Sequence, residues 1–304
     1  MKHVLGISLG SSSRDASMEV QIGKEMVHIE RRGTDGSKEK AKTLFSEYDG
    51  KVDAFGLGGT DLYIFAGEKP YMFSDSAELI ASVRKTPVLD GSGLKRSLEP
   101  YLIEQLAANK IIDFKGKKIL HMCGVDRMAL GQALVKAGGT VTFGDLVYGL
   151  GINYPIRSLR ALSFLAKIVV PIITKLPINW FYPTGEVQTK SVIRHPEYFL
   201  QNDIIAGDFH FIRRFMPQVL PGKIIITNTV TPEDRKFLAK AGIASLITVT
   251  PNFQGRSFGT NIMEAVLVAL KGSKTSLDGD TYKAMLQQYG VKPGIDYLET
   301  KESF

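Results

Sequence analysis

The sequence has little of several features that define particular classes of protein. It contains one cysteine, Cys123, in 304 residues, which excludes a disulfide framework and a cysteine-based zinc site. Hydrophobic residues make up 44% and charged residues 23%, which excludes a disordered chain, a collagen and a coiled coil. A glycine and several serines follow Met1 before any signal-peptide apolar run can form. We therefore expect no export signal and a cytoplasmic protein.

Several motifs of catalysis and metal binding are also missing. The sequence contains no Walker A motif, no G-x-S-x-G and no H-E-x-x-H. No two of its histidines, at positions 3, 28, 121, 195 and 210, have the spacing of metal ligands, so we predict no metal site. His121 and Cys123 stand on a predicted buried strand, and we interpret both as core residues.

Positive charge is in excess, and its position is informative. The formal net charge is +7. Residues 101–250 hold 18 Lys and Arg against 10 Asp and Glu, whereas the rest of the chain holds 20 against 21. No nucleic-acid-binding motif accompanies this excess, so we expect no nucleic-acid partner. The excess favours an anionic cofactor, an anionic substrate or a membrane surface.

The first part of the chain, residues 1–113, reads as a small α/β domain that binds substrate. Loops rich in Gly, Ser and Asp follow three predicted strands, and such loops gather where ligands bind in α/β sheets. The substrate-binding candidates in these loops are Ser11, Ser13, Arg14 and Asp61. Asp90 and Lys95 are the candidate catalytic pair for proton transfer. The alternative is that these residues form ordinary turns and a solvated ion pair.

Residues 114–274 read as a Rossmann-like domain. Lys117–Cys123 is a continuous apolar run, as expected of a central parallel strand. A predicted helix at Met128–Ala137 and a strand at Thr140–Phe143 complete a β-α-β unit. Further strands separated by helices predict a doubly wound parallel sheet, so the fold class is α/β.

The first turn of this domain supplies cofactor-binding candidates. A G-x-G-x-x-G motif is absent, and only Gly124 and Gly131 remain. Arg127 could contact a pyrophosphate, and Asp126 could cap the helix that follows. Asp145 stands 21 residues after Gly124, where an acid that accepts ribose hydroxyls is expected, so NAD is favoured over NADP. The alternative is an ordinary strand-turn-helix without a cofactor.

Later strand ends carry further candidates. His210 follows a predicted strand and is the best histidine candidate for proton transfer. Asn228 and Thr229 end another strand, where a nicotinamide ribose or ring could be held, although turns also favour Asn. Gly255 and Arg256 lie before a predicted apolar helix, whose N-terminus favours anions. A capped helix with a solvated arginine is the alternative there.

A predicted helical insertion, residues 146–202, interrupts the second domain. Ala161–Trp180 is nearly all apolar, but two prolines and two lysines argue against a membrane span. Four basic residues recur along it: Arg157, Arg160, Lys167 and Lys175. The segment could cover the sheet or a homodimer interface. It could instead make peripheral membrane contact through residues 157–181 or form a groove for a long apolar substrate.

A family resemblance rests on runs in the second half of the chain. They read DIIAGD from Asp203, PGKIIITNTVTP from Pro221 and SFGTNIME from Ser257. In these runs and in its domain order the chain resembles bacterial proteins labelled quinate or shikimate 5-dehydrogenase. The resemblance implies that Ser11 and Ser13 match a Ser-x-Ser pair that holds the substrate carboxylate. The family's N-V-T-x-P-x-K motif is absent, and its members have no counterpart of residues 146–202.

Together these features predict a two-domain NAD-dependent dehydrogenase. It would transfer hydride to or from a secondary alcohol or carbonyl of an anionic, quinate- or shikimate-like substrate in the interdomain cleft. Residues 275–304 would form a C-terminal tail that packs back on the protein. The alternatives are a non-catalytic regulatory protein that binds a nucleotide or small molecule, and a membrane-surface enzyme acting on a lipid-like substrate.

Overall fold

The computed structural model describes residues 1–177, 191–253 and 255–298. The chain divides into two compact units, each built from several segments. Unit 1 comprises the described residues of Met1–Leu98, Ser163–Gln188 and Gly259–Val291. Unit 2 comprises those of Glu99–Leu162, Thr189–Phe258 and Lys292–Phe304.

The regular elements follow one another in chain order. The first are β1 (Lys2–Ser8), β2 (Ala16–Ile22), β3 (Glu25–Gly33), α1 (Lys38–Tyr48), β4 (Ala54–Gly58), β5 (Tyr63–Ala66), β6 (Lys69–Met72), α2 (Ser74–Leu79), β7 (Val88–Leu89) and α3 (Ser92–Ala108). Next come β8 (Lys118–His121), α4 (Met128–Lys136), β9 (Thr140–Phe143), α5 (Leu159–Ile173), α6 (Pro196–Leu200), β10 (Ile204–Ala206) and α7 (Phe209–Phe215). The last are β11 (Ile224–Thr227), α8 (Pro232–Lys240), β12 (Ser245–Thr248), β13 (Asn252–Phe253), β14 (Arg256–Ser257), α9 (Thr260–Lys271), α10 (Gly279–Gln288) and β15 (Gly294–Tyr297).

Unit 1 contains a five-stranded sheet in the order β2-β3-β1-β4-β7. Its strands are parallel except β2, which is antiparallel to β3. Leu5 and Ile7 of β1 point to one face because side chains alternate along a strand. They form a core with Phe45 of α1 and Phe55 of β4. The carboxyl ends of β1, β3, β4 and β7 meet at one edge, so their polar loops lie on the same side of the sheet.

Helix α9 packs on the unit 1 sheet, although we predicted it within the domain 114–274. Two strand glycines permit its close approach. A Cβ at Gly6 would stand 2.8 Å from Cδ1 of Ile262, and one at Gly56 would stand 3.3 Å from the Asn261 carbonyl. An apolar helix needs a sheet face, but its sequence does not specify which sheet. The predicted linear boundary therefore differs from the observed one.

Unit 2 contains a six-stranded sheet in the order β15-β12-β11-β10-β8-β9. Its strands are parallel except β15, which pairs antiparallel with β12. The central strands β8, β10 and β11 are buried except at the first residue of β8 and of β11, which agrees with their mostly apolar sequences. The prediction of an α/β protein with a parallel, Rossmann-like sheet is confirmed.

The C-terminal segment contributes to both units. We predicted residues 275–304 as a tail that packs back on the protein. In the structure α10 belongs to unit 1, and β15 extends the unit 2 sheet as an edge strand. The sequence of Gly294–Tyr297 has no strong strand pattern, so its strand conformation depends on its pairing with β12. Residues 299–304 lie outside the described residues.

The predicted insertion contains the helix α5. Leu162, Ala166 and Val170 are buried at a spacing of four, as one face of a helix requires. Phe164 and Ile168 are at least half exposed. Among the described residues, no helix is long and apolar enough to cross a membrane.

Only two of the four recurring basic residues of the predicted insertion lie in a helix. Arg160 and Lys167 lie within α5, whereas Arg157 precedes it and Lys175 follows it. Trp180 and the rest of 178–181, the end of the predicted membrane-contact segment, lie outside the described residues. Membrane contact through this segment stays a prediction.

Candidate functional site

The candidate site lies at the carboxyl edge of the unit 2 sheet. There β9 lies on one side of β8 and β10 on the other. This reversal is a topological switch point, where ligands bind in open α/β sheets. The loops after β8 and β10 meet there, because the backbone N–H of Asp208 donates to Sγ of Cys123 at 3.4 Å. We call residues 122–127, 144–145, 207–210 and Asn228 the switch-point site.

Asp145, the acid predicted from its spacing, lies beside the loop after β8. Its Oδ1 accepts the Val125 N–H at 2.8 Å, and its Oδ2 accepts the Gly124 N–H at 3.0 Å. Burial raises the pKa of Asp145 to about 6, although both hydrogen bonds favour the charged form. Asp145 begins a π-helical segment, Asp145–Gly149, a rare conformation that is frequent at functional sites.

The two glycines of the degraded motif permit close packing. A Cβ at Gly124 would stand 2.6 Å from Cδ1 of Phe143 and 3.1 Å from Oδ2 of Asp145. A Cβ at Gly131 would stand 2.8 Å from Cε1 of Phe143. Glycine at these positions therefore lets the loop and α4 approach β9. A direct cofactor contact by either glycine stays a prediction.

Arg127 points into the protein, which corrects its predicted role as a pyrophosphate ligand. Its side chain is 2% exposed and forms an ion pair with Glu99, which is fully buried. Its guanidinium also lies 3.6 Å from Asp208 and 3.8 Å from Asp126. Burial opposes the charge of Arg127, but these carboxylates outweigh burial and raise its pKa. Asp126 does not cap α4, because Arg127 occupies the cap position and no side chain caps that end.

Asp208 connects the loops of the switch-point site. It caps α7 by accepting the His210 N–H at 2.9 Å, and its Oδ2 accepts from Nδ2 of Asn228 at 2.9 Å. Burial opposes ionisation, but the charges of His210 and Arg127 and these hydrogen bonds lower the pKa of Asp208 to about 2. Asn228 also accepts the Phe209 N–H. The edge therefore carries a permanent carboxylate, about a quarter exposed, beside the half-buried His210.

His121 is a core residue, and Cys123 is a half-buried residue that packs against the core. Burial raises the pKa of the Cys123 thiol, which keeps it protonated. His121 is fully buried and its Nε2 lies 3.1 Å from the Arg127 carbonyl. Burial lowers the pKa of His121 to about 4, so its ring is neutral at pH 7. Neither group is suited to act as a nucleophile or base.

The loop of Gly255 and Arg256 forms the hairpin β13–β14, near the start of α9 in sequence. Gly255 has a φ of +86°, a conformation that favours glycine. Its carbonyl accepts from Nε of Arg235 at 2.8 Å. Arg256 stands on β14, and Thr229 follows Asn228 in the loop after β11. Cofactor contacts by Gly255, Arg256 and Thr229 stay predictions.

In unit 1 the predicted catalytic residues are buried at the carboxyl edge of the sheet. Nζ of Lys95 donates to Oδ1 of Asp61 at 2.9 Å, and both side chains are 9% exposed. Asp90 accepts the N–H groups of Leu62 and Tyr63, each at 2.7 Å, and it also accepts from the Ser92 hydroxyl. Asp90 therefore holds the loop of Asp61 against the start of α3. That role is structural, whereas Lys95–Asp61 is a buried acid–base pair.

The serine loop after β1 is closed by its own hydrogen bonds. The hydroxyls of Ser11 and Ser13 lie 2.8 Å apart, and the Ser13 N–H donates to Oγ of Ser11 at 3.2 Å. Arg14 ends the short 3₁₀ turn of this loop. Ser11 and Arg14 are half-buried and Ser13 is exposed, so the loop is accessible to a ligand. Substrate binding by these residues stays a prediction.

Glu99 and Glu264 are buried carboxyl groups that no sequence motif indicated. Glu99 of α3 forms an ion pair with Arg127. The sequence around Glu99 has no feature that indicates this pairing. Glu264 is 1% exposed and accepts hydroxyl hydrogens from Tyr282 at 2.5 Å and Ser276 at 2.6 Å. Burial and the charge of Asp90 raise the pKa of Glu264 to about 7. A single glutamate inside an apolar helix was the available signal for Glu264.

The fold and its polar edges define an α/β protein of two units, each with a largely parallel sheet. The chain belongs to the family described as Domain of unknown function (DUF8754), which matches residues 93–298. A second family, Domain of unknown function (DUF8753), matches residues 3–90. Comparison with curated proteins finds none that matches this chain.

Solved structures show only distant likeness. L-tryptophan dehydrogenase from Nostoc punctiforme is 11% identical, with 95% of this chain and 80% of that chain covered and a TM-score of 0.39. Entamoeba histolytica malic enzyme is 10% identical, with 93% and 61% covered and a TM-score of 0.37. A galactofuranose binding protein is 12% identical, with 94% and 98% covered and a TM-score of 0.32. Such low scores support no functional conclusion.

Proposed function

We propose that this protein is an NAD-dependent oxidoreductase that binds its nucleotide at the switch-point site. One observation carries the proposal. Asp145, at the end of the second parallel strand of unit 2, lies against the N–H groups that follow the first strand. In dinucleotide-binding folds, the carboxylate that accepts hydrogen bonds from the adenosine ribose hydroxyls lies at this position. The switch point beside β8 supports the same position.

The residues of the switch-point site fit the adenosine ribose of a dinucleotide better than they fit its pyrophosphate. Asp145 suits the ribose, and its charge would repel the 2′-phosphate of NADP. Arg127 is committed to Glu99, so the backbone N–H groups at the start of α4 would hold the pyrophosphate. When bound, the cofactor would accept or donate hydride. Asp208 and Asn228 would orient polar groups of the bound cofactor at the carboxyl edge of the sheet. His210 would be a second candidate for proton transfer with the substrate.

The substrate we propose is a small anionic hydroxy acid or keto acid of the quinate and shikimate type. Support comes from the resemblance of residues 203–264 to proteins with that label and from the exposed hydroxyls of Ser11 and Ser13, which would hold a carboxylate. In the direction of carbonyl reduction the Lys95 ammonium, which Asp61 holds in one position, would donate the proton of the new hydroxyl and become a neutral amine. In the direction of alcohol oxidation that neutral amine would take up the hydroxyl proton.

Titration with NADH, followed by nicotinamide fluorescence and by calorimetry, tests the proposal. We expect saturable binding that Asp145→Asn weakens about tenfold, equivalent to about 1.4 kcal/mol. NADPH should bind the wild type less well than NADH, and Asp145→Asn should reduce that difference because the repelling charge is gone.

Asp203→Asn is the matched control. Asp203 also accepts a backbone N–H, that of Lys118 at 2.9 Å, but at the amino edge of the same sheet. We expect it to leave NADH binding unchanged. Absence of saturable NADH binding at millimolar concentration would refute the proposal, as would equal loss in both variants.

A second candidate is a regulatory protein that binds the nucleotide without turnover. The missing G-x-G-x-x-G motif and the missing N-V-T-x-P-x-K motif favour it, because both belong to the catalytic proteins that the chain resembles. Incubation with NAD and quinate or shikimate separates the two candidates. Reduction of NAD that depends on Lys95 would establish the enzyme, whereas NADH binding without turnover would favour the regulatory protein.

A further inference from the structure

Two histidines and a glutamate from distant sequence positions meet on the unit 1 sheet. Strands β1 and β3 are parallel, and their register places His3 opposite His28. Glu30 follows two residues after His28, so its side chain points to the same face. One ligand atom from each of the three residues lies within 4.8 Å of those of the other two.

The interactions within this cluster leave one nitrogen unsatisfied. Nε2 of His3 lies 3.5 Å from Oε2 of Glu30, which is longer than a normal hydrogen bond. This nitrogen is shielded from solvent and has no hydrogen-bond partner among the described residues. The rings of His3 and His28 lie edge to face with centroids 4.8 Å apart. A shielded, unsatisfied nitrogen in a native fold requires an explanation.

We propose that His3, His28 and Glu30 bind one Zn²⁺ ion. Two imidazoles and one carboxylate form a known set of zinc ligands in proteins, with a fourth position left for water. Zinc bonds of about 2.0–2.2 Å in a tetrahedron place ligand atoms about 3.4 Å apart. Side-chain rotations that move each ligand atom by about an ångström would bring the ligand atoms, now within 4.8 Å of one another, to that distance. The side chains of His3 and Glu30 are 31% and 20% exposed, which leaves access for the ion.

Neighbouring groups already orient the proposed ligands. Nε of Arg32 donates to Oε1 of Glu30 at 2.6 Å, which directs the other oxygen towards His3. Asp53 accepts the backbone N–H of His3 at 2.8 Å. The Ser17 hydroxyl lies 3.4 Å from Nε2 of His28. Such outer contacts are typical of metal sites, where they hold the ligands in position.

A bound zinc ion would give the shielded Nε2 of His3 the partner that it lacks among the described residues. It would also place the two imidazoles and the Glu30 carboxylate around one cation.

Calorimetric titration with ZnCl₂ of the untagged full-length chain, after removal of metals with a chelator, tests this site. We expect one ion per chain. His28→Gln and Glu30→Gln should each weaken zinc binding by about 100-fold, because loss of a direct ligand is at least as severe as loss of an outer contact. Circular dichroism of each variant checks its fold, and either folded variant suffices for the comparison.

His195→Gln is the matched control. Nδ1 of His195 lies 3.1 Å from Oε1 of Glu197, a histidine–glutamate pair in unit 2. We expect this variant to bind zinc like the wild type. Titration with Co²⁺ should produce the visible absorption of a tetrahedral site in the wild type and not in His28→Gln. Failure of the wild type to take up one equivalent would overturn the proposal, as would binding that both ligand variants retain or that His195→Gln abolishes.

Discussion

The two units differ in the charge state of the groups that are buried near the carboxyl edges of their sheets. In unit 2 the guanidinium of Arg127 is surrounded by Glu99, Asp126 and Asp208, so its charge is permanent. Unit 1 also holds a buried ion pair, Lys95 with Asp61, but burial of Glu264 favours the protonated form of that carboxyl more than burial of Asp145 does in unit 2. Fixed charges hold a preformed polar edge at any ordinary pH, whereas a buried carboxyl makes stability depend on pH. Similar polar loops therefore have different electrostatic environments in the two units, because burial and neighbouring charges differ.

Removal of Arg127 should have the largest effect. Arg127→Met leaves the buried Glu99 without its cation, and an uncompensated buried charge costs about 4 kcal/mol of unfolding free energy. Urea denaturation measures the loss. Hydrogen exchange of β8 and β10 should show that it is concentrated in unit 2.

The double variant Arg127→Met/Glu99→Gln is the control for this prediction. It removes both charges, so it should recover much of the lost stability. A loss below about 1 kcal/mol in the single variant would show that Glu99 is not held as an uncompensated charge.

The pH dependence of unit 1 should depend on Glu264. Its folded pKa of about 7 lies above the unfolded value of about 4.3. Between these pH values the folded state binds more protons than the unfolded state, so stability falls as pH rises. The contribution is complete below about pH 4.3 and lost by about pH 7, with an amplitude of about 4 kcal/mol.

Glu264→Gln should remove this dependence. Urea denaturation of wild type and variant at about pH 4.5 and about pH 7.5 isolates the contribution, since other titrating groups are common to both. Glu39→Gln is the control, because Glu39 is exposed on α1. Parallel pH profiles for wild type and Glu264→Gln would contradict the assignment.

Lys95→Met should have the smallest of these effects. It leaves Asp61 without its ammonium partner, but both side chains retain 9% exposure, so water offsets part of the cost. We expect a loss of about 2 kcal/mol, below the range for a fully buried pair. Hydrogen exchange of β4 and β7 should place the loss in unit 1.

Lys42→Met is the comparison for Lys95→Met. Lys42 pairs with Glu39 and Glu78 on the surface, where such pairs contribute about 0.5 kcal/mol or less. Equal losses in Lys95→Met and Lys42→Met would show that the pair of Lys95 and Asp61 is effectively solvated.

Local patterns predicted the elements well, because each depends on neighbouring residues. The continuous apolar run Lys117–Cys123 indicated β8, and the predicted strand at Thr140–Phe143 is β9. Assignment of elements to units was less accurate. Helix α9 covers the unit 1 sheet and β15 joins the unit 2 sheet, and neither choice leaves a local signal.

The candidate site shows the same division. The spacing of Asp145 from Gly124 correctly indicated that the two would be neighbours, because it follows from one β-α-β unit. The direction of Arg127 could not be read, since it depends on Glu99, 28 residues earlier. Residue type identified both as candidates, but only packing decided that one would be a buried cation.

Local sequence patterns predicted the α/β class, the main strands of the unit 2 sheet and the polar residues at strand ends. These follow from periodicity and turn chemistry over a few residues. The tertiary structure alone decided which distant residues meet. His3 and His28 show no metal-ligand spacing along the chain, yet the parallel register of β1 and β3 places them side by side. Register between parallel strands is set by packing over the whole sheet, so it is not encoded at either position.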